Sequence, residues 1–255
     1  MSKNKELNMK IEKQTIDILQ NFSNINKSIL VEPGSELKTM SKQAKNIVAR
    51  SGVSEEFTQQ FGIYDVKEFL RVLTSPALRG GEIEFGEEYL TLKNGDCESK
   101  YVYASEAVLD KPEDVGMSDP EIEFSLDKDK LDFVFGMADI LGKPDLAITS
   151  DGKTISVVVL NKKDPESSDF SMVVGEGNGD TYTMYLKTEN IKVLAGSYDV
   201  NITSKGISHF AHQEIDLEYW IATEPDSEFN KSAVVLGDEE PEAEEPVSGE
   251  RFPPR

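Results

Sequence analysis

The chain resembles itself. At an offset of 121 residues, Phe61–Leu73 (FGIYDVKEFLRVL) lies over Tyr182–Leu194 (YTMYLKTENIKVL). Tyr64 meets Tyr185, Glu68 meets Glu189, Val72 meets Val193 and Leu73 meets Leu194, while Leu70/Ile191 and Arg71/Lys192 keep their character. Four identities in thirteen positions are slight alone, but the elements around them recur in the same order. A repeat of this length constrains the chain to two similar units, each of which must build its own core.

Each half opens with an amphipathic helix. Ile11, Thr15, Ile18, Leu19 and Phe22 share one face at ~100° per residue, with Lys10, Lys13, Asp17 and Gln20 opposite. In the second half Leu131, Val134, Phe135, Ala138 and Leu141 form the apolar face, and Gly142 is the stop. Strands follow: Ile29–Val31 and Glu36–Met40 around Pro33-Gly34, and 146–149 and Thr154–Leu160 around Asp151-Gly152. A further strand leads into each copy of the matched segment, whose second part is expected to be a short helix. In 65–75, Val66, Phe69, Leu70 and Leu73 point one way, and Lys67, Glu68, Arg71 and Ser75 the other. Hairpin strands close each half, at 82–85, 89–92 and 99–104, then at 198–202, 207–210 and 215–222. The expected fold is α+β: two similar domains, each with two helices on antiparallel sheet. The division is 1–10 as an N-terminal extension, 11–104 as domain one, 105–120 as a Pro- and charge-rich linker, 121–229 as domain two and 230–255 as a tail.

Charge limits the partners. With 48 acidic and 27 basic residues the net charge is −21, which excludes coating a duplex or an anionic membrane by nonspecific attraction. The tail from Asn230 holds seven acids against three bases, so it carries −4 of that total. Its Glu/Pro composition predicts disorder, with Ala233–Leu236 as its one apolar spot. Cys97 is the sole cysteine, so neither an intrachain disulfide nor a thiolate zinc cluster is available. The polar Met1–Lys10 lacks a signal-type apolar region, and no apolar run approaches the ~18 residues of a membrane span. A reducing cytoplasm is the expected compartment.

Candidate chemistry is weak. His209 and His212, with Glu214 nearby, are three apart on a predicted strand or hairpin, where odd spacing puts side chains on opposite faces, against a metal pair. Gly175-Glu-Gly177-Asn-Gly179 precedes a strand, not the helix a phosphate cradle needs, and is expected to be a hairpin turn. Asp127, Asp129 and Asp132 open a helix and lack the glycine an EF-hand requires at its sixth position. No nucleophile–base pair stands out, so no catalytic residue, metal or cofactor is expected and the chain is read as a non-enzyme.

The order Asn21-Phe22-Ser23-Asn24-Ile25-Asn26 with Ile29-Leu30, then Phe61-Gly62-Ile63-Tyr64-Asp65 with Phe69-Leu70, then Leu146-Ala147-Ile148-Thr149, resembles the sliding clamps of T-even-type bacteriophages. The best stretch is Ile191-Lys192-Val193, Gly196-Ser197-Tyr198 and Ser204-Lys205-Gly206, and the resemblance covers about 11–229. It implies a homotrimeric ring of six domains with helices lining a central hole and sheets outside. That ring would encircle double-stranded DNA, tether the replicative DNA polymerase, be opened by an ATP-driven clamp loader and serve late-transcription factors, in the cytoplasm of an infected bacterium. A competing class is an acidic two-domain enzyme or small-ligand protein with a pocket at the domain junction.

The resemblance also implies sites. Lys10, Lys13, Lys67, Arg71, Lys187 and Lys192, on the four expected helices or their ends, would face DNA in the lumen. The second long helix departs from this pattern. Its outer face carries Asp129, Asp132, Phe133, Gly136, Asp139 and Ile140, with Lys143 the only cation expected on that side. Partner peptides would enter a pocket walled by Met40, Ile47, Leu109, Trp220 and Ala222. Subunits would join edge to edge, Ser99, Tyr101 and Tyr103 of one against Phe170, Met172 and Val174 of the next.

Overall fold

The structure is a computed structural model and describes residues 9–232. The expected disordered tail and its apolar spot, Ala233–Leu236, lie outside the described residues.

The first half contains α1 (Lys13–Ile25), β1 (Ile29–Val31), β2 (Gly34–Met40), β3 (Ile47–Phe57), β4 (Phe61–Ile63), α2 (Val66–Leu73), β5 (Glu82–Phe85), β6 (Tyr89–Asn94) and β7 (Cys97–Val102). The second contains β8 (Ile122–Leu126), α3 (Lys128–Leu141), β9 (Asp145–Asp151), β10 (Thr154–Leu160), β11 (Phe170–Glu176), β12 (Thr181–Lys187), β13 (Tyr198–Thr203), β14 (Ile207–His212), β15 (Leu217–Ala222) and β16 (Glu228–Asn230). The fold is α+β with antiparallel pairing throughout the sheets of the described residues.

One sheet spans both halves. Its order is β2-β3-β15-β14-β13-β8, so first-half β3 lies beside second-half β15, with Ala49 opposite Tyr219. The remaining sheets are β11-β10-β9-β12-β16, β5-β6-β7 and the β1-β4 pair. β3 shows why one face is core: Ile47, Ala49 and Ser51 are buried, while Val48 and Arg50 between them are half-exposed. α1 packs on the buried face of β2 and β3 through Ile18, Leu19 and Phe22.

α1 has no capping side chain of its own. The buried Glu55 carboxylate, from β3, accepts from the Glu12 amide at 2.7 Å and the Thr15 hydroxyl at 2.6 Å, placing negative charge at the helix start. α2 is capped locally, its Asp65 carboxylate accepting from the Glu68 amide at 3.0 Å. α3 ends at Gly142, whose φ of 60° is the left-handed conformation of a C-terminal cap.

Two expectations are corrected. The short helix expected after β12 is a single 3₁₀ turn, Thr188–Asn190. The repeat explains why: the residue aligned with the capping Asp65 is Leu186, fully buried in a strand that runs on to Lys187, and Lys187 contributes no side-chain cap. The second half thus has one α-helix among the described residues. The Gly175–Gly179 loop is not a hairpin turn, because β11 and β12 lie on opposite sides of β10-β9. It crosses the end of the β9–β10 hairpin, Gly177 N donating to Lys153 O at 2.7 Å and Gly179 N to Gly152 O at 2.9 Å. A side chain on Gly177 would strike the Gly152 backbone.

A buried polar network ties the halves. The Tyr219 hydroxyl donates to Asn21 Oδ1 of α1 at 2.8 Å and accepts from the Leu194 amide at 3.0 Å. Asn21 Nδ2 donates to Lys192 O at 2.9 Å, and the Tyr198 hydroxyl to Leu194 O at 2.6 Å. Burial raises the pKa values of both tyrosines, so they remain neutral donors.

Candidate functional site

The outer face of the shared sheet carries a row of side chains set by strand register. Met40 of β2 is opposite Val48 of β3, Val48 opposite Trp220 of β15, and Trp220 opposite His209 of β14. The His209 and Trp220 rings stack with centroids 5.0 Å apart. The next row is Lys38, Arg50 and Glu218. Arg50 Nη2 donates to Glu218 at 2.8 Å, and Lys38 lies 2.9 Å from Glu36.

The connection between the halves runs over these rows. Asn26 Nδ2 donates to both Met40 O (2.9 Å) and Asp110 Oδ2 (3.1 Å), fixing where the linker starts. Lys111 then pairs with Glu32 at 2.7 Å, and Asp114 with Lys38 at 2.7 Å. Hydrogen bonds that Lys38 donates to Asp114 and Glu36 hold its pKa above the ordinary value. Between linker and sheet lies a groove of about 340 Å³ lined by Val48, Trp220, Val115, Lys38, Arg50 and Glu218, among others.

Of the five expected pocket residues, Met40 and Trp220 share this face, as does the exposed Ala222 two residues along β15. Ile47 is 1% exposed and points the other way, opposite Ile221 in the core, because it precedes Val48 by one residue. Leu109 packs over Gly62 of β4, where a Cβ would collide with it. Val48, Lys38, Arg50 and His209 were missed. Alternation in IVAR marked Val48 and Arg50 as outward, but the neighbour across the strand pair is a long-range fact.

The expected DNA-facing cations separate into two kinds. Lys10 and Lys13 at the start of α1, and Lys67 and Arg71 on α2, are exposed. Lys13 pairs with Asp17 at 2.6 Å. Lys187 is not on a helix: it ends β12 and is bound to Asp145, which is 1% exposed, and lies 3.9 Å from Glu224. Lys192 follows the 3₁₀ turn and is half-buried. Lys187 and Lys192 line an open cleft of about 610 Å³ at the junction of the halves, together with Lys27 and Lys42, which sequence reasoning missed. On α3 the outward Phe133 and Ile140 are 64% and 76% exposed. Its charge is less one-sided than expected, since Lys128 pairs with Asp132 at 2.5 Å and Lys130 lies 3.9 Å from Asp127.

β7 and β11 are each the outermost strand of their sheet. The Tyr101 ring meets Phe69 of α2 edge-on at 5.2 Å. Tyr103 lies 5.6 Å from Phe61, and burial pushes its pKa up to about 12. Phe170 and Met172 pack inward on β11 and Val174 is buried, whereas Val102 on β7 and Val173 on β11 are exposed. No convergent metal-ligating group of three occurs among the described residues, and no helix there is long and apolar enough to cross a membrane.

Two similar α+β halves sharing an outer sheet, with a linker strapped over it, make the clamp fold. The chain is similar to a subunit in the PCNA2–PCNA3 complex of Sulfolobus tokodaii (TM-score 0.63, 12% identity, 85% of this chain and 99% of that one). It is similar to A. fulgidus PCNA, solved with the C-terminal region of FEN-1 (0.62, 14%, 84% and 96%). The DNA polymerase III subunit beta of Pseudomonas aeruginosa matches over 88% of this chain and 68% of that one (0.63, 14%). Identities this low show the shared fold. Residues 10–108 match the DNA polymerase processivity factor family. Over 225 residues the chain is 31% identical to the sliding clamp of Vibrio phage KVP40, covering 85% of this chain and 99% of that one. The chain belongs to the sliding-clamp family of DNA polymerase processivity factors.

Proposed function

We propose that three copies of this chain close into a ring that encircles duplex DNA and tethers the replicative polymerase, with 11–104 and 121–229 as the two clamp domains and 105–120 as their linker. The observation that carries this reading is that β7 in one half and β11 in the other are outermost strands, each with one edge unpaired among the described residues. Each exposes a valine, and free strand edges are liabilities that ring closure removes. Edge-to-edge pairing would bring Ser99, Tyr101 and Tyr103 of one copy against Phe170, Met172 and Val174 of the next.

Such a tether works by topology. Dissociation requires opening, so contacts to phosphates need only be weak and without register. Lys10, Lys13, Lys67, Arg71 and Lys192 are the lumen cations in this reading. Lys187 is discounted, because its charge is already matched by Asp145 and Glu224. Partners would dock on the Met40–Trp220 face beside the linker. They are the polymerase, an ATP-driven loader and late-transcription factors, all in the cytoplasm of an infected bacterium.

Primer extension on singly primed circular DNA, with polymerase and loader, tests the function. Wild-type protein is expected to lengthen the products, and no gain in length would overturn the reading. Replacing Lys67, Arg71 and Lys192 together by Glu is expected to shorten them again, and unchanged products would remove those three residues from the lumen.

A further inference from the structure

Two of the most exposed apolar side chains among the described residues stand on one line of α3. Phe133 is 64% and Ile140 76% exposed, and with Gly136 between them they keep the spacing of a single helix face. A Cβ built on Gly136 would meet nothing within 4 Å, so the space above it is open. A glycine inside a helix costs stability, and here it leaves a notch between two apolar knobs. Asp129 heads the line one turn before Phe133, and Lys143 follows it just past the Gly142 cap. Reversed end for end about Gly136, the line is its own complement. Phe133 then falls against Ile140 and Asp129 against Lys143, because each pair lies almost equally far on either side of the glycine. Other charges stand close by. Asp132 is held by Lys128 of the same helix at 2.5 Å, and Lys130 lies 3.9 Å from Asp127. Asp139 and Glu189 border a cleft with Lys143 and with Lys187, which is bound to Asp145. Asp129 and Lys143 make no ion pair among the described residues.

We propose that α3 is a self-docking surface, through which two copies of the chain pair antiparallel about a two-fold axis at Gly136. Phe133 of each copy packs on Ile140 of the other, and Asp129 of each faces Lys143 of the other. A two-fold contact presents the same patch from both copies, which a reversed self-complement supplies. The missing side chain at the crossing point lets the two helix axes approach closely. The apolar centre holds the pair, and the charges at its two ends set the helices antiparallel. One helix against another is a small interface, so the pair is weak and forms at high chain concentration. Each copy carries a net charge of −21, so raised salt favours pairing by screening the repulsion between them. The inference goes beyond the ring reading. In a closed ring α3 would line the hole, where a second folded chain does not fit, so a copy is either paired or in a ring. The pair is the form of the unassembled chain in which the apolar line is covered.

Cysteine placement in the full chain tests the geometry. Cys97 is exposed, so Cys97→Ser removes the one native thiol first. In that background Gly136→Cys puts two thiols face to face on the axis, whereas Lys143→Cys puts them about 20 Å apart, at opposite ends of the crossed helices. Under mild oxidation at high chain concentration and raised salt, Gly136→Cys is expected to give a covalent dimer at least tenfold faster than Lys143→Cys. Adding Phe133→Ser and Ile140→Ser, both exposed changes, is expected to slow that dimer to the Lys143→Cys rate with an unchanged circular dichroism spectrum. Equal rates at the two cysteine positions, or no effect of the two serines, overturns the proposal. Light scattering on a chain carrying Val102→Asp and Val173→Asp, which are aimed at the ring joint, separates the pair from the ring. Its mass is expected to rise from one chain at micromolar concentration toward two as the concentration is raised. A mass that stays at one chain overturns the pair and not the ring, whereas a wild-type chain that never reaches three chain masses overturns the ring and not the pair.

Discussion

Tyr219 shows how much of this molecule hangs on single polar atoms. Its hydroxyl serves Asn21 Oδ1 and the Leu194 amide at once, in a site with no exposed surface. Tyr219→Phe keeps the ring and strands both partners, so we expect a loss of about 1–3 kcal/mol in denaturant titration. Lys187 makes the opposite point. From sequence it was a lysine beside a helix, and only the fold brings it to the buried Asp145, 42 residues away. Ile47 and Val48 differ in role because successive strand residues face opposite ways. The alternation was legible, but not which face would lie beneath the linker.

Among the elements, α1 and α2 are capped by different means. The cap of α1 arrives from Glu55, 40 residues beyond Thr15, and no local motif announces it. Glu55→Ala is expected to destabilise by about 1–3 kcal/mol and to raise amide hydrogen exchange first at the start of α1. The α2 cap, Asp65, is local and could be read directly. Its hydrogen bond from the Glu68 amide, helped by Lys27, holds its pKa below the ordinary carboxylate value. A depressed carboxylate contributes stability that is fully present above its unfolded pKa of about 3.9 and lost as pH falls through the folded value. Asp65→Ala is therefore expected to cost about 1 kcal/mol at neutral pH. That difference from wild type should fade below about pH 4, while Asp65→Asn keeps most of the cap and loses the pH dependence. The same residue explains the missing fourth helix, since the repeat puts Leu186 where the cap would stand.

On the scale of the whole molecule, the balance between a net charge of −21 and the proposed DNA partner turns on placement. A ring needs favourable charge only along its inner wall, and acids elsewhere discourage stray contacts. Light scattering at micromolar concentration should give three times the chain mass. The double variant Val102→Asp, Val173→Asp puts like charges at the proposed joint and is expected to lower the mass to that of one chain with an unchanged circular dichroism spectrum. Retention of the trimer would exclude those edges as the joint.

The internal repeat, the amphipathic periods and the local turn and cap residues were properties of the sequence by itself, and they determined the α+β class and its duplication. Such features depend on neighbours within a few residues, where spacing alone decides which side chains share a face. What only the tertiary structure decided was long-range. It set β3 beside β15, stacked Trp220 on His209, made β7 and β11 outermost strands among the described residues, neutralised Lys187 with Asp145 and laid Asp114 over Lys38. Each of these pairings joins residues brought together by packing of the whole chain, and no local spacing encodes which partner a given edge or charge will meet.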